Sequence, residues 1–212
     1  LITMPHKVAA AALLDEASPA VRIAGACNAV RRTENGRLQG DLFDGEGFVR
    51  ALRRKGCRLA GGRALVAGAG GVGSAIAASL AAAGAGAIAL FDIRRGSAQA
   101  LASRLASFYP GLELTTDIDN PSGCDIVVNA TPVGTHDDDP MPVDVDRIDP
   151  GTWVGEVVMT PEITPFLIAA QARGCRVQPG SDMLFEQIPA YLEFFGFPAT
   201  TPEHLRQLAA DR

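Results

Sequence analysis

The stretch from Arg63 to Ala83, RALVAGAGGVGSAIAASLAAA, limits the fold of this chain more than any other part of it. A short aliphatic run leads into Gly68-Ala69-Gly70-Gly71-Val72-Gly73, and an Ala-rich helical pattern follows, with Ile76 and Leu80 four apart on one face. Gly68, Gly70 and Gly73 complete G-x-G-x-x-G between a strand and a helix, the context in which this pattern marks a dinucleotide site. The first glycine permits the tight turn, the second admits a pyrophosphate to the backbone, and the third lets helix and strand pack closely. The helix N-terminus offers free N–H groups and the positive end of its dipole to the phosphates. A second strand ends in Asp92, 19 residues beyond Gly73. An acid there bonds the adenosine ribose and repels a 2′-phosphate, which favours NAD over NADP, whereas Arg94 and Arg95 could hold such a phosphate. The expected cofactor is NAD, preferred, or NADP.

Further strands and helices follow in alternation. Residues 63–68, 87–92, 113–116, 125–130, 153–158 and 176–178 read as strands, and 71–83, 97–108 and 163–173 as helices. This is the pattern of βαβ units around a parallel sheet. On the flanks, 7–16, 44–55, 181–195 and 202–211 read as helices, and Asn35-Gly36 marks a hairpin turn between 29–32 and 37–40. The predicted fold class is α/β, a Rossmann-type doubly wound parallel sheet with a smaller α/β substrate domain. Residues 1–57 would form that substrate domain, 58–178 the dinucleotide-binding domain, and 179–212 C-terminal helices returning to the first. The active site is expected in the cleft between them. The opening Leu-Ile-Thr-Met-Pro-His-Lys reads like the middle of a protein, so an N-terminal part of the substrate domain is expected to be missing.

A formal net charge of −5 leaves no basic surface for nucleic acid. No membrane span is expected. The four cysteines, Cys27, Cys57, Cys124 and Cys175, form no C-x-x-C pair, which speaks against a zinc site or a disulfide framework. These features suit a cytoplasmic protein with a small-molecule substrate and no metal, as a monomer or homodimer.

Hydride transfer from an alcohol needs a group to take the hydroxyl proton. Residue chemistry alone does not choose it among His6, His136, His204, the lysines, the tyrosines and the carboxylates. Six segments in order carry a resemblance that does. They are Thr3-Met4-Pro5-His6-Lys7, Gly25-Ala26-Cys27-Asn28, Gly40-Asp41-Leu42-Phe43-Asp44-Gly45-Glu46-Gly47-Phe48, the glycine turn, Asn129-Ala130-Thr131-Pro132-Val133-Gly134, and Gly180-Ser181-Asp182-Met183-Leu184-Phe185-Glu186-Gln187. Together they resemble the shikimate dehydrogenase family across nearly the whole chain, and the stretch from Trp153 to Gly196 most resembles its shikimate dehydrogenase-like subgroup. The resemblance implies Lys7 as catalytic acid/base with Asp44 as its partner, and Thr3, Asn28 and Gln187 as substrate ligands. It implies Thr131, Pro132, Gly134, Gly180 and Met183 near the dinucleotide, with Met183 beside the nicotinamide. Alone, Lys7 would read as a surface lysine, Asp44 as a helix cap and Met183 as core.

The departures concern substrate. The family's N-T-D reads Leu42-Phe43-Asp44, and Met159 stands where the family commonly has a substrate-binding tyrosine. NADP-dependent members commonly carry Asn-Arg-Thr where Asp92 stands. The serine pair that grips the substrate carboxylate lies, in the family, before T-x-P-x-K. The implied reaction is reversible hydride transfer between NAD(P) and a ring hydroxyl of shikimate or quinate. The alternatives are a dehydrogenase of the same fold for another hydroxy acid, and a dinucleotide-binding regulatory protein without turnover.

Overall fold

In the computed structural model, which describes residues 1–3, 5–94, 96–136 and 138–210, the predicted strands sort their side chains by alternation. Ala64 and Val66 of the strand Arg63–Ala67 point to one face, Leu65 and Ala67 to the other, and the strand Ile126–Asn129 does the same with Ile126, Val128 and Val127. A sheet built from such strands is apolar on both sides and must be covered on both.

In chain order the first flank holds α1 (Lys7–Ala11), β1 (Glu16–Ala17), α2 (Pro19–Ala24), β2 (Ala29–Arg32), β3 (Leu38–Asp41) and α3 (Asp44–Arg54). The central stretch holds β4 (Arg63–Ala67), α4 (Gly71–Ala82), β5 (Ala87–Phe91), α5 (Ser97–Phe108), β6 (Glu113–Thr116), β7 (Ile126–Asn129), β8 (Trp153–Glu156), α6 (Pro165–Ala172) and β9 (Arg176–Gln178). The chain closes with α7 (Gly180–Phe195) and α8 (Pro202–Ala210). The six strands β4–β9 form one parallel sheet in the order β6-β5-β4-β7-β8-β9. This is the doubly wound dinucleotide-binding order, which reverses between β4 and β7, where such sheets bind ligands. Ile76 and Leu80 of α4, Leu101 and Leu105 of α5, and Phe48 and Leu52 of α3 cover one face. Phe166, Leu167 and Ala170 of α6 cover the other. Each of these Leu, Ile and Phe side chains is worth roughly 1.5–3 kcal/mol of burial.

The small sheet runs β1-β3-β2, with β1 parallel and β2 antiparallel to β3. The hairpin turns where Asn35-Gly36 predicts it. Gly36 N–H donates to Thr33 C=O at 2.9 Å, and Gly36 takes φ +83°. Three readings need correction. The helix expected over 7–16 stops at Ala11, because Leu14 tucks under Gly40 and Glu16–Ala17 pair with Gln39–Gly40. Helix α2 went unread, although Ser18 caps it at Val21 N–H (3.3 Å), Pro19 opens it and Gly25 ends it at φ +67°. Asp44 is the first residue of α3 and caps nothing.

Helix α3 lies between α4 and α7. Two glycines set that spacing. A Cβ at Gly45 would lie 2.0 Å from the Ala75 carbonyl oxygen of α4, and one at Gly47 would lie 2.5 Å from the Met183 carbonyl oxygen of α7. Ion pairs tie the exposed side of this contact: Arg50 to Glu193 (2.8 Å), Arg54 to Glu186 and Glu203, and Lys55 to Asp182 (2.5 Å). Burial raises the pKa of all four thiols, that of Cys57 to about 11, so they stay protonated and unreactive. Among the described residues, no helix is long and apolar enough to cross a membrane.

Candidate active site

Three separate segments of the first flank converge through backbone hydrogen bonds. Ile2 N–H donates to Asn28 C=O (2.8 Å), Cys27 N–H to Lys7 C=O (3.0 Å), and Asn28 N–H to Asp41 C=O (3.0 Å). The start of α1, the start of β2 and the end of β3 therefore meet, and the N-terminus of α3 follows directly. At that junction the buried Asp44 accepts three hydrogen bonds. Lys7 Nζ donates to Oδ2 at 2.8 Å, Asn28 Nδ2 to the same oxygen at 3.1 Å, and Gln187 Nε2, from α7, to Oδ1 at 3.0 Å. Asn28 Oδ1 accepts from Phe43 N–H at 3.0 Å, which fixes which way its amide points. Buried polar groups are costly unless paired, and here each partner orients the next. Lys7 and Asp44 form an ion pair whose side chains keep only 16% and 10% of their exposure.

This junction forms one wall of a cavity of about 670 Å³. Lys7, Leu42 and Asp44 line it on one side, and Gly70, Gly71, Val72, Thr131 and Pro132 on the other. It sits at the switch between β4 and β7. Gly68 needs its φ of +104°, and a Cβ at Gly73 would strike the Gly68 carbonyl oxygen at 1.8 Å. A Cβ at Gly71 meets nothing within 4 Å, and one at Gly70 meets only Arg94 Nη2 at 3.6 Å, so the space above the loop is open. Gly70, the residue before α4, carries no side-chain cap, which leaves the first N–H groups of that 12-residue helix to a ligand. The loop thus fits a dinucleotide pyrophosphate.

Asp92 sits under the same loop. Its Oδ2 accepts from Ala69 N–H at 2.8 Å, and its Oδ1 from Arg94 N–H at 2.8 Å, with the exposed Arg94 guanidinium at 3.2 Å. Burial alone would raise the carboxyl, but the bonds from Arg94 and Ala69 outweigh it and hold its pKa below the ordinary value. Arg95, like Met4, lies outside the described residues.

Other predicted residues, like Asn28 and Gln187, are not among those that line the cavity. Gly134 donates its N–H to Asp139 at 2.9 Å. Gly180 packs under the Val158 carbonyl, and Met183 is buried in the core beside α3. Thr3 is exposed, and its carbonyl accepts from His6 N–H at 2.9 Å.

Two further residues were not read from sequence. Glu156, fully buried at the end of β8, accepts from Asn129 Nδ2 (2.9 Å), Val157 N–H (2.8 Å), Val158 N–H (3.1 Å) and Thr164 Oγ1 (3.1 Å). Asn129 Oδ1 in turn accepts from Thr131 N–H (3.1 Å) and Oγ1 (2.6 Å). One carboxylate thereby joins the Thr131-Pro132 wall to the Val157–Thr160 wall. Burial raises its pKa, and the four donors offset only part of that rise. Tyr191 is the second, one helical turn beyond Gln187 and edge-on to Phe43, with ring centroids 5.3 Å apart. Neither belongs to a local pattern that sequence could flag.

No family model matches the chain. It is 36% identical over 212 residues to the shikimate dehydrogenase (NADP(+)) of Rhodospirillum rubrum, covering 97% of this chain and 75% of that one. Among solved structures it is similar to the ligand-free 5-ketofructose reductase of a Gluconobacter strain (TM-score 0.86, 32% identity, covering 97% of this chain and 75% of that one). It is equally similar to the quinate dehydrogenase of Corynebacterium glutamicum in complex with NAD (TM-score 0.85, 30% identity, covering 100% and 77%). With a parallel sheet in the dinucleotide-binding order, a glycine loop facing a lysine–aspartate pair, and a relative this similar over this length, the chain belongs to the shikimate dehydrogenase family.

Proposed function

We propose that this chain catalyses reversible hydride transfer between NAD(P) and a ring hydroxyl of shikimate or quinate, with Lys7 and Asp44 handling the proton. The observation that carries the reading is Asp44 gathering Lys7, Asn28 and Gln187 at a cavity whose opposite wall is the glycine loop. The bound nicotinamide supplies the hydride donor or acceptor. In the direction of ketone reduction, Lys7 Nζ would give a proton to the carbonyl oxygen. In the reverse direction Lys7 takes the hydroxyl proton. Asp44 fixes the position of Nζ and balances its charge. Asn28 and Gln187 offer amide groups to the ring hydroxyls, and Thr3 a hydroxyl. Residues 1–57 with 179–212 would carry the substrate side and 58–178 the dinucleotide side, with proximity in the cleft providing much of the rate.

For the cofactor we infer NAD as preferred and NADP as usable. An ionised Asp92 beneath the loop repels a 2′-phosphate, and the exposed Arg94 guanidinium is the group that could receive one. Four unpaired thiols suit a reducing, cytoplasmic setting. Leu42, Phe43 and Met159 favour a second reading, another hydroxy or keto compound such as 5-ketofructose, at the same site.

The test is nicotinamide absorbance with shikimate, quinate and 5-ketofructose, each against both dinucleotides in the appropriate redox state. Turnover of either ring acid supports the reading, and turnover of the keto sugar alone replaces the substrate. Silence in every lane, with dinucleotide binding intact, overturns it. Lys7→Ala is expected to lower kcat by at least about 10²-fold, the typical share of acid–base catalysis, with dinucleotide affinity unchanged. A variant with wild-type kcat would remove Lys7 from the chemistry.

A further inference from the structure

On α7, Gln187 and Tyr191 are four residues apart and so share a face. Gln187 reaches Asp44 at 3.0 Å. Tyr191 lies against Phe43, the residue before Asp44, with its ring edge-on at a centroid distance of 5.3 Å. The phenol is thus held by packing on Phe43 and lies near Asp44, just outside the residues that line the cavity. The ring is half-buried, and its hydroxyl makes no hydrogen bond to any described residue. Burial first, and then the negative charge of Asp44, raise the pKa of the phenol, so the hydroxyl stays protonated and available as a donor.

The cavity beside it is poor in donors. Leu42 in the lining and Phe43 behind it are apolar, and Met159, 43% exposed at the cavity, cannot donate a hydrogen bond, so besides Lys7 the donors in the lining are the hydroxyls of Thr131, Thr135 and Thr160. A polyhydroxylated ring acid needs each buried oxygen satisfied, or affinity falls by the full cost of the unpaired group.

We propose that Tyr191 is a substrate-binding residue, its hydroxyl donating to an oxygen substituent of the ring acid and setting substrate specificity from helix α7. This rests on the ring-acid dehydrogenase reading given above. The ring of Phe43 would act as a positioning surface, holding the phenol beside the cavity. Specificity would then follow the pair Phe43 and Tyr191, which meet across 148 residues of chain, more than the loop that holds Met159.

The deciding variant is Tyr191→Phe, which removes one oxygen and keeps the ring packed on Phe43. The KM for the ring acid is expected to rise about tenfold, the effect of one hydrogen bond between uncharged partners. The kcat should stay within about twofold if the bond forms equally in ground and transition states. KM for the dinucleotide and the melting temperature should not move, whereas a merely structural role would shift both. An unchanged KM for the acid in an active enzyme overturns the role of Tyr191 and leaves the function standing. A wild-type protein that neither turns over nor binds shikimate or quinate, by calorimetry with the dinucleotide present, overturns both.

Discussion

Replacing Gly45 by alanine tests whether close helix packing is what puts Asp44 in place. The added Cβ would lie 2.0 Å from the Ala75 carbonyl oxygen, 2.4 Å from its carbonyl carbon and 2.5 Å from Ser79 Oγ. Ser79 could rotate away, but Ala75 is backbone in the second turn of α4 and cannot. To reach even 3.0 Å, below which real Cβ contacts essentially never fall, α3 must retreat by at least about 1.0 Å. Asp44 is the neighbouring residue on the same first turn and moves with it. Its bonds to Lys7, Asn28 and Gln187 are 2.8, 3.1 and 3.0 Å long, and a shift of about 1 Å away from α4, toward α7, would displace the carboxylate relative to all three partners by enough to spoil their geometry. Overpacking of this kind costs about 1–3 kcal/mol, or about 2–12 °C in Tm for a chain of this size. A 1 Å error in a catalytic group costs on the order of 10²-fold in rate. The assay is kcat/KM beside a thermal melt, measured well below the midpoint. Gly71→Ala is the control, because its Cβ meets nothing within 4 Å. It should keep its Tm and impair only dinucleotide binding. A Gly45→Ala protein that loses stability yet keeps wild-type kcat/KM would refute the link between helix spacing and the carboxylate.

Two other outcomes follow from the same geometry. Asp92→Asn should shift the ratio of kcat/KM toward NADP by about tenfold or more, since the ionised carboxylate under the glycine loop is removed while Arg94 remains; an unchanged ratio would deny Asp92 a role in choosing the dinucleotide. Glu156→Ala leaves several buried donors unpaired and should cost about 3 kcal/mol or more in denaturant unfolding, while Glu156→Gln, which keeps an acceptor, should cost about 1 kcal/mol. The sign of the pH effect also follows. A carboxyl whose folded pKa is raised contributes stability that is complete below its unfolded value, near 4.3, and is lost as pH rises through the folded value. The Gln variant should therefore show a flatter stability–pH curve above about 4.3 than the wild type, and identical slopes would count against the burial of that charge.

The doubly wound sheet was legible because each strand and helix carries its own periodic signal. Helix α5 and strand β6 occupy the predicted 97–108 and 113–116, with Pro110-Gly111 between them. The first flank was less so. K-V-A-A-A-A-L-L-D-E has good helix propensity throughout, but packing of Leu14 under Gly40 and pairing of a two-residue strand with β3 override it. Two residues cannot display a period, so β1 has no sequence signature at all. Helix α2 did have one, in Ser18-Pro19 and Gly25, and its brevity hid it. At the site, the glycine loop and Asp92 were readable as chemistry, but the pairing of Lys7 with Asp44 came from family resemblance, because the two are 37 residues apart and no local spacing joins them. Glu156 and Tyr191 are legible only in three dimensions, since what defines them is a buried donor set and a ring 148 residues away.

The opening of α3 shows how a local misfit can mark such a site. Asp44-Gly45-Glu46-Gly47 is a poor way to begin a helix, since each glycine costs about 1 kcal/mol against alanine there. A sequence that keeps both must recover that cost in tertiary structure. The recovery is visible here, because Gly45 admits the backbone of α4 and Gly47 that of α7, which no larger residue would allow. The closeness brings α4, which carries the glycine loop, and α7, which carries Gln187, to opposite sides of one carboxylate. Propensity and function therefore pull in opposite directions at these two positions, and the helix forms because packing against two neighbours outweighs its own preference.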